Sequence, residues 1–443
     1  MERKRLNRRQ FVKQSTAGVL AAGVLNHGFS KRPQAEDRTQ SPAVRRYNVL
    51  GRTGFRASDI AFGAPNNETI LAAALDAGVN YIDTGEEYSN GGSERTIGRI
   101  IGTRDRKSLF INTKLRLEKD VSKHEVLQRA RGCLERLNTD YIDCLMIHNA
   151  TDVNIIACQG FHAAARQLKE EGRLRFIGIT SHGNSWWKND RTLMAEAMEK
   201  VCLAAADDGR FDVFLFIYNF LNRAMGERIL DVCRRKKIGT SLMKVNPTHN
   251  FMLVQEEIKR LTEEGNEERA AYYREREKES QDMVAQIDTF AKENGLTDAR
   301  QIKAAAFRFV LKHPDVHTVC CHMPNFEEME NFLALSGRTF SSEDANTLTA
   351  YQKGYGRYYC RHACGICEPQ CPYGVPVNTI MRYNHYFTAQ GREKFAMEKY
   401  SKLTTPKPTV CEHCTGYCER ICPYGVPIQT LLRLAHRRLS FLG

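Results

Sequence analysis

Short apolar runs alternate with longer amphipathic stretches through the middle of this 443-residue chain. Eight of the runs have the length and the β-branched or apolar composition of buried strands. They cover residues 58–63, 81–85, 109–114, 141–148, 176–180, 213–219, 239–245 and 318–323. Between them, residues 67–77, 122–137, 161–171 and 223–237 place apolar side chains at helical spacing. Eight strands with helical crossovers predict an α/β fold of the closed (β/α)8, or TIM, barrel type rather than an open doubly wound sheet.

We assign this barrel to residues 47–340, and two shorter segments modify it. Residues 47–57 contain turn glycines and predict a hairpin ahead of the first barrel strand. Residues 247–298 form a long insertion after the seventh strand, in which charged side chains predominate from 255 to 280. Such a run is typical of a solvated surface helix, and a lid or a partner-docking surface is the alternative.

The net charge of +13 is concentrated at the two ends of the chain. Residues 1–46 contribute +8 and residues 355–443 contribute +7, so the residues between them are close to neutral at −2. Positive charge raises the question of nucleic-acid binding, but no nucleic-acid-binding motif accompanies it. With 42% hydrophobic residues the chain can form a substantial core, which excludes a disordered protein. No apolar run approaches the roughly 20 residues of a transmembrane helix.

The N-terminal charge has the layout of an export signal. Six Lys or Arg residues between positions 3 and 13 precede a small-residue apolar stretch at 17–25. The paired Arg8 and Arg9, followed by Phe11, resemble a twin-arginine signal. A disordered basic tail is the alternative.

We therefore expect residues 1–30 to be a twin-arginine signal peptide and residues 31–46 to be a linker. The protein is then exported to the periplasm or to the outer face of the cytoplasmic membrane. No clear Ala-x-Ala cleavage site is present, so membrane association is expected only if the signal stays uncleaved.

Four polar side chains close or follow successive predicted strands. Asp83 follows the second strand, Tyr88 lies in the loop beyond it, Lys114 ends the third strand and His148 ends the fourth. Catalytic groups of such barrels collect at the carboxyl ends of the strands. A Tyr hydroxyl has an ordinary pKa of about 10, and a neighbouring ammonium lowers that pKa. The four residues predict acid–base chemistry on a carbonyl group, with His148 orienting its oxygen.

The stretch from Asp83 to Glu94, with Gly98 following, resembles the signature of the aldo-keto reductase family. Lys114 and His148 fall where that family keeps its Lys and His. The resemblance covers about residues 47–335 and implies hydride transfer between a nicotinamide cofactor and a small carbonyl or alcohol substrate. It also implies Tyr88 as the general acid, supported by Asp83, Lys114 and His148.

The resemblance also extends to positions that contact the dinucleotide. It assigns such contacts to Thr180, Ser181, Asn219 and Asn331. Other positions differ, because Leu215 stands where the family often has Gln and Lys244 stands at the usual aromatic stacking position. No Arg or Lys follows the eighth strand in residues 320–326, which argues against a preference for NADP over NAD.

Eight of the 15 cysteines lie in the tail, residues 341–443, in two runs that each end in Cys-Pro. The first run is Cys360, Cys364, Cys367 and Cys371, and the second is Cys411, Cys414, Cys418 and Cys422. The runs and the residues that follow them form an internal repeat, in which Cys371-Pro-Tyr-Gly-Val-Pro376 recurs as Cys422-Pro-Tyr-Gly-Val-Pro427. We expect each half to be a loop followed by a helix.

The two runs resemble those of bacterial ferredoxins, in which three cysteines bind one [4Fe–4S] cluster and the fourth binds the other. By that rule one cluster takes Cys360, Cys364, Cys367 and Cys422, and the second takes Cys411, Cys414, Cys418 and Cys371. Each run is one residue longer than the regular spacing. Zinc and disulfides are the alternatives. The tail is thus predicted to be a small, mostly helical, ferredoxin-like iron–sulfur domain, and the other seven cysteines are expected to be buried structural thiols.

Two functional hypotheses follow. The first is an exported oxidoreductase that interconverts a carbonyl and an alcohol by Tyr-assisted hydride transfer, with electrons relayed through two [4Fe–4S] clusters to an unidentified redox partner. The alternative is a non-catalytic iron–sulfur electron-transfer subunit whose barrel docks a partner. Neither hypothesis involves nucleic acid.

Overall fold

The structure is a computed structural model that describes residues 42–183, 198–247, 265, 267, 289–296, 298–362, 364–390 and 392–440. The predicted signal and most of the linker and of the charged insertion lie outside these residues. The strands are β1 (Tyr47–Val49), β2 (Arg56–Ser58), β3 (Ile60–Gly63), β4 (Tyr81–Asp83), β5 (Phe110–Leu115), β6 (Ile142–Ile147), β7 (Leu174–Ser181), β8 (Val213–Ile217), β9 (Gly239–Met243) and β10 (Thr318–Cys321).

The helices of the barrel part are α1 (Glu68–Asp76), α2 (Gly92–Ile101), α3 (Lys123–Leu137), α4 (Val153–Ile156), α5 (Gln159–Glu170), α6 (Met198–Asp208), α7 (Arg223–Arg235), α8 (Ala299–Leu311), α9 (Phe326–Leu333) and α10 (Ser342–Tyr355). Those of the tail are α11 (Val377–Gln390), α12 (Glu393–Ser401), α13 (Tyr417–Ile421) and α14 (Ile428–Leu439). None of the described helices is long and apolar enough to cross a membrane.

Eight parallel strands close into a barrel in the order β10-β3-β4-β5-β6-β7-β8-β9. The predicted (β/α)8 fold is confirmed, and each predicted strand lies within a few residues of its observed position. The predicted hairpin is also present, since β1 and β2 pair antiparallel with Tyr47 opposite Ser58. Leu50, between these two strands, is fully buried in the cluster that fills the barrel interior with Tyr81 and Phe110.

Two apolar cores divide the described residues. The larger core lies between the barrel and its helices and includes Tyr351 and Tyr355 of α10 and Tyr359 just beyond it. The second core belongs to the tail and begins at Cys367. The change from one core to the other therefore falls near residue 360, later in the chain than the domain limit expected at residue 340.

The tail repeat is a repeat of local structure as well as of sequence. Glu368 Oε1 accepts a hydrogen bond from the backbone N–H of Asn378 at 2.6 Å, at the start of α11. Glu419 Oε1 accepts the equivalent bond from Gln429 at 2.8 Å, at the start of α14. A carboxylate at a helix N-terminus satisfies a free N–H group and favourably meets the helix dipole. The same capping device thus begins the helix of each half.

Gly178 of β7 offers a test of how closely the barrel strands pack. A Cβ at this position would lie 2.4 Å from the Val213 carbonyl oxygen on β8 and 3.1 Å from Cys144 Sγ on β6. We predict that Gly178→Ala lowers the free energy of unfolding by about 1–3 kcal/mol, because the backbone of β8 must move. Chemical denaturation followed by circular dichroism measures this loss.

Gly102 at the end of α2 is the matched control. It has helical backbone angles, with φ of −61°, and no atom within 4 Å of the added Cβ. Gly102→Ala should leave the free energy of unfolding unchanged or raise it by up to about 1 kcal/mol. Equal stabilities for the two variants would contradict the packing argument.

Candidate active site

The four predicted catalytic side chains gather at the carboxyl end of the barrel. Asp83 is the last residue of β4, Lys114 lies near the end of β5 and His148 directly follows β6. Tyr88 is brought back over this end by a turn in which its N–H donates to the Gly85 carbonyl at 3.0 Å. Residues scattered over more than sixty positions of the chain therefore meet because β4, β5 and β6 are parallel neighbours.

A buried ion pair forms the base of the site. Lys114 Nζ lies 2.7 Å from Asp83 Oδ1, and both side chains are nearly inaccessible, at 1% and 4% exposure. The ammonium also donates to the Thr84 carbonyl at 2.5 Å. Burial disfavours the charged amine, but Asp83 and Tyr88 outweigh that effect and raise the pKa of Lys114 to about 12. Lys114 is therefore a fixed positive charge at neutral pH.

Tyr88 lies against this charge. Lys114 Nζ is 4.9 Å from the centre of the Tyr88 ring, and its charge favours the phenolate form of Tyr88. Burial nevertheless raises the pKa of Tyr88 to about 12, and the lowering effect of Lys114 is smaller. The prediction that the pKa of Tyr88 is lowered is therefore wrong for the net shift. Removing the phenolate from water destabilises it by more than one neighbouring ammonium stabilises it. Tyr88 is protonated at neutral pH, which suits a proton donor.

His148 completes the predicted set. Its ring meets the Tyr88 ring edge-on, with 5.5 Å between the ring centres. Burial lowers the pKa of His148, and the nearby cations of Lys114 and Arg116 lower it further against the opposing effect of Glu87. Glu87 Oε2 lies 3.5 Å from His148 Nδ1. His148 is therefore a neutral imidazole at pH 7 that can donate a hydrogen bond to a substrate oxygen.

Several neighbours of this site escaped the sequence prediction. Asn112 Nδ2 donates to Asp83 Oδ1 at 2.6 Å and helps to fix the carboxylate. Asn112 stands two residues before Lys114, so strand alternation places both on one face of β5 and could have indicated it. Glu87 forms an ion pair with Arg116 at 2.5 Å. Cys320 of β10 lies near Asp83, and burial together with the Asp83 carboxylate raises the pKa of the Cys320 thiol. No local pattern marks these last three residues.

The predicted dinucleotide contacts are distributed differently. The Thr180 hydroxyl accepts from the Asn149 N–H at 2.7 Å, and the Ser181 hydroxyl donates to the Ala150 carbonyl at 3.0 Å. These two residues thus fix the loop that follows His148. The Asn219 side-chain amide bonds the backbone: it donates to the Lys244 carbonyl at 3.0 Å and accepts from the backbone N–H groups of Leu221 and Asn222. Asn331 is exposed on α9.

The start of the tail is attached to the loop that follows β8. Arg361 Nε donates to the Leu221 carbonyl at 3.1 Å, and Asn222 Nδ2 donates to the His362 carbonyl at 3.4 Å. Arg361 is 6% exposed and His362 is 2% exposed. The first cysteine run therefore begins against the barrel mouth.

The tail cysteines fall into two electrostatic groups. Burial raises the pKa of Cys360, and the neighbouring Cys364, Cys367 and Cys422 thiols raise it further. Burial also raises the pKa of Cys411 to about 12, with added contributions from Cys418, Cys371 and Cys414. Each group takes three cysteines from one run and one from the other, and the groups adjoin at Cys367 and Cys418.

All fifteen cysteines of the chain are free thiols. Within the part of the chain that the structure describes, however, no three His, Cys, Asp or Glu side chains are arranged so that they could hold a metal ion. The geometry alone therefore does not support the predicted clusters, and it does not support disulfides either.

Comparison with known proteins decides the family. The model of the Aldo/keto reductase family matches residues 49–353, more than half of the chain. The chain belongs to the aldo/keto reductase family. It is an aldo-keto-reductase-like oxidoreductase, and small carbonyl substrates and NAD(P)H are typical of such enzymes.

Individual relatives are distant. The aldo-keto reductase YhdN of Bacillus subtilis strain 168 is 25% identical over 327 residues, which are 68% of this chain and 92% of that protein. A protein of Oryza sativa subsp. japonica named as a voltage-gated potassium channel subunit beta is 34% identical over 121 residues. That second match spans 23% of this chain and 37% of the rice protein.

Solved structures of the family are also similar. The holo form of an aldo-keto reductase from Bacillus halodurans gives a TM-score of 0.48 at 19% identity, covering 69% of this chain and 96% of that one. An aldo-keto reductase from a Medee basin deep-sea metagenome library gives 0.47 at 17% identity, covering 72% and 98%.

The Lys114–Asp83 pair provides a stability test of the site. We predict that Asp83→Asn lowers the free energy of unfolding at pH 7 by about 3–5 kcal/mol, because the buried ammonium loses its counter-charge. The raised pKa of Lys114 means that this contribution is present below the ordinary lysine pKa and is lost only as pH rises through about 12. The loss at pH 9 should be equal to that at pH 7 or smaller, because without Asp83 the buried Lys114 gives up its charge more easily as the pH rises.

The double variant Asp83→Asn/Lys114→Met is the control. It leaves no buried charge, so it should recover most of the lost stability while lacking the cation beside Tyr88. If the double variant were as unstable as Asp83→Asn, charge balance would not be what Asp83 contributes. Thermal unfolding followed by circular dichroism compares the three proteins.

Proposed function

We propose that this chain is an exported oxidoreductase that interconverts a carbonyl and an alcohol, with Tyr88 as its acid–base group and two [4Fe–4S] clusters in its tail. The observation that carries the catalytic part is the buried Lys114–Asp83 pair, whose ammonium lies 4.9 Å from the centre of the Tyr88 ring. A buried ammonium costs several kcal/mol, and placing it beside a tyrosine serves proton transfer at that hydroxyl.

In the reducing direction, the Tyr88 O–H bond breaks and its proton moves to the substrate oxygen. Lys114 stays charged throughout and stabilises the phenolate that remains on Tyr88. The neutral His148 imidazole donates a hydrogen bond to the same substrate oxygen and fixes its direction. Asp83 and Asn112 take no part in the transfer and hold Lys114 in place. The oxidising direction reverses these movements.

A nicotinamide, when bound, supplies or accepts the hydride at the carbonyl carbon. Thr180 fits the role of a contact to it, because its hydroxyl accepts one backbone hydrogen bond and keeps its proton for a ligand. The exposed Asn331 is also accessible to a ligand. Ser181 and Asn219 fit less well, since each uses its polar atoms within the fold. Because residues 320–326 contain no Arg or Lys, we do not expect a preference for NADP over NAD.

The cluster proposal is supported by the donor set of the tail. Eight free thiols form two groups, each with three cysteines from one run and one from the other, as in two-cluster ferredoxins. Backbone and amide donors point at two of the sulfurs, with Val375 N 3.4 Å from Cys371 Sγ and Asn378 Nδ2 3.9 Å from Cys360 Sγ. Clusters held there supply single-electron transfer, and hydrogen bonds to the sulfurs tune the potential.

The export proposal rests on the paired Arg8 and Arg9 ahead of an apolar stretch. Twin-arginine transport is associated with proteins that fold around a cofactor before they cross the membrane. A reductase barrel with a metal-bearing tail fits that description. A redox partner outside the cytoplasm would then exchange electrons with the tail.

Tyr88→Phe tests the catalytic proposal. Turnover of a carbonyl or alcohol substrate by the anaerobic holoprotein, coupled to an artificial electron carrier, should fall by about 10²–10⁴-fold, since the proton donor is lost. Tyr141→Phe is the matched control, because the Tyr141 hydroxyl bonds the Arg106 carbonyl at the opposite end of the barrel. Its turnover should equal that of the wild type.

Unchanged turnover in Tyr88→Phe would show that the mechanism is wrong. Titration of the wild-type holoprotein with NAD and NADP distinguishes the enzyme from the alternative, in which the barrel only docks a partner. Binding of NAD supports the enzyme, whereas the absence of binding by both nucleotides together with the absence of turnover supports an electron-transfer subunit.

Paired cysteine substitutions test the crossed ligand sets. Cys360→Ala/Cys422→Ala removes two ligands of one proposed cluster, so about half of the iron and labile sulfide should remain. Cys360→Ala/Cys371→Ala removes one ligand from each cluster, so both clusters should be lost. Iron and sulfide analysis with EPR of the reduced proteins measures this difference.

Ligation of each cluster by its own run would give the reverse pattern for these two variants. Cys202→Ala is the control, because Cys202 is buried in α6 of the barrel and should not change the iron content. Wild-type protein that carries zinc, or no metal, would contradict the cluster proposal altogether.

A further inference from the structure

The first helix of the tail places two buried polar side chains against the barrel mouth. Arg382 and Tyr386 both lie on α11 and are 1% and 7% exposed. Arg382 Nε donates to the Tyr386 hydroxyl oxygen at 2.6 Å. Lys244, which follows β9 at the carboxyl end of the barrel, donates to the same oxygen at 3.1 Å. One phenol oxygen thus accepts hydrogen bonds from two cations, one from the tail and one from the barrel.

This arrangement borders the site around Tyr88. Arg382 also donates to His182 Nδ1 at 2.8 Å, and His182 directly follows β7. Burial lowers the pKa of His182, and the charges of Arg382, Lys244 and then His148 lower it further. The backbone N–H of His182 donates a hydrogen bond to Asn149 Oδ1, and Asn149 is the residue after His148. The Tyr386 group therefore connects through His182 to the loop that carries His148.

The internal repeat shows that these contacts are specific to one half of the tail. Arg433 of α14 is the repeat counterpart of Arg382 and is exposed, and Arg437 stands where Tyr386 would recur. The two helices share their fold and their capping contacts. Only the half that faces the barrel buries its arginine and has a tyrosine one turn later.

Two cations favour the ionised form of this tyrosine. Burial raises the pKa of Tyr386, but Arg382 and Lys244 outweigh it and bring the pKa to about 7. Burial and the charge of Arg382 disfavour the protonated form of Lys244 and lower its pKa to about 8. The other groups that face the ring are Arg392, at 5.5 Å from its centre, Phe395 and Tyr383.

We propose that Tyr386 is a second acid–base group of the active site, supplied to the barrel by the tail. This inference rests on the function proposed above. The proton that Tyr386 accepts comes from a hydroxyl group or a water molecule held at the mouth. The donor O–H bond breaks, the proton moves to the phenolate oxygen, and Lys244 and Arg382 balance the charge that the donor acquires. The reverse transfer returns the proton, and no oxidant or reductant is required.

Tyr386 and Tyr88 have different roles in proton transfer because different charges surround their hydroxyl groups. Tyr88 has one ammonium beside it, which Asp83 partly offsets, so it is protonated at neutral pH and is the donor in the reducing direction. Tyr386 has two cations as hydrogen-bond donors, so it is poised to accept. One site thus has a proton donor on the barrel and a proton acceptor on the tail.

Ionisation of Tyr386 can be measured without turnover. The ultraviolet absorbance of tyrosinate in the holoprotein is titrated with pH for the wild type, Tyr386→Phe and Tyr383→Phe. Tyr383 lies on the same helix and is equally buried, so it controls for loss of a tail phenol. The wild type and Tyr383→Phe should show one tyrosine that ionises near pH 7, and Tyr386→Phe should lack it. In Lys244→Met that ionisation should move to higher pH, because one of the two cations is gone.

Identical titrations for the wild type and Tyr386→Phe would overturn the proposal, whatever the activity of the protein. Turnover is the second readout. In alcohol oxidation the kcat/KM of the wild type should rise with pH through about 7. Tyr386→Phe should lose that rise and about 10²-fold in kcat/KM. If Tyr386 ionises near pH 7 but the protein shows no turnover, the ionisation is confirmed and the proposed function is rejected. If Tyr386→Phe turns over with an unchanged pH profile, the acid–base role of Tyr386 is rejected.

Discussion

The buried ion pair of Lys114 and Asp83 is the constraint on which the catalytic end of the barrel depends. An ammonium with 1% exposure is tolerated only where a counter-charge and hydrogen-bond acceptors lie beside it. Asp83 and the Thr84 carbonyl meet that need, and both come from the end of β4. Their position is set by the parallel pairing of β4 with β5, in which Asp83 lies opposite Asn112. A shift of that register by one residue would turn Lys114 away from its counter-charge.

The pair also explains why one barrel end can hold two tyrosines with different protonation states. Asp83 offsets part of the effect of the Lys114 charge on the Tyr88 phenolate, and burial then keeps Tyr88 protonated. Lys244 and Arg382 both donate a hydrogen bond to the Tyr386 hydroxyl oxygen. The local balance of charge, rather than the identity of the residue, assigns each hydroxyl its chemistry.

The strand ends could be predicted from the sequence, because alternation of side chains and the closed parallel sheet fix which polar residues meet. Asp83, Lys114 and His148 end neighbouring strands, so any barrel with these strands brings them together. The contacts between barrel and tail could not be predicted in this way. Lys244 and Tyr386 are 142 residues apart, and His182 and Arg382 are 200 apart. Their meeting depends on where α11 docks, which no local pattern encodes, and the net pKa of Tyr88 likewise depends on burial that only the fold reveals.

The crossed grouping of the tail thiols has a consequence for biosynthesis. Cys360 has Cys422 as a neighbour, so the first group is incomplete until the second cysteine run has left the ribosome. The barrel, by contrast, has all of its strands by residue 321 and can close earlier. A chain that stopped before Cys411 would contain every strand of the barrel but could complete neither group, since Cys371 also waits for the second run.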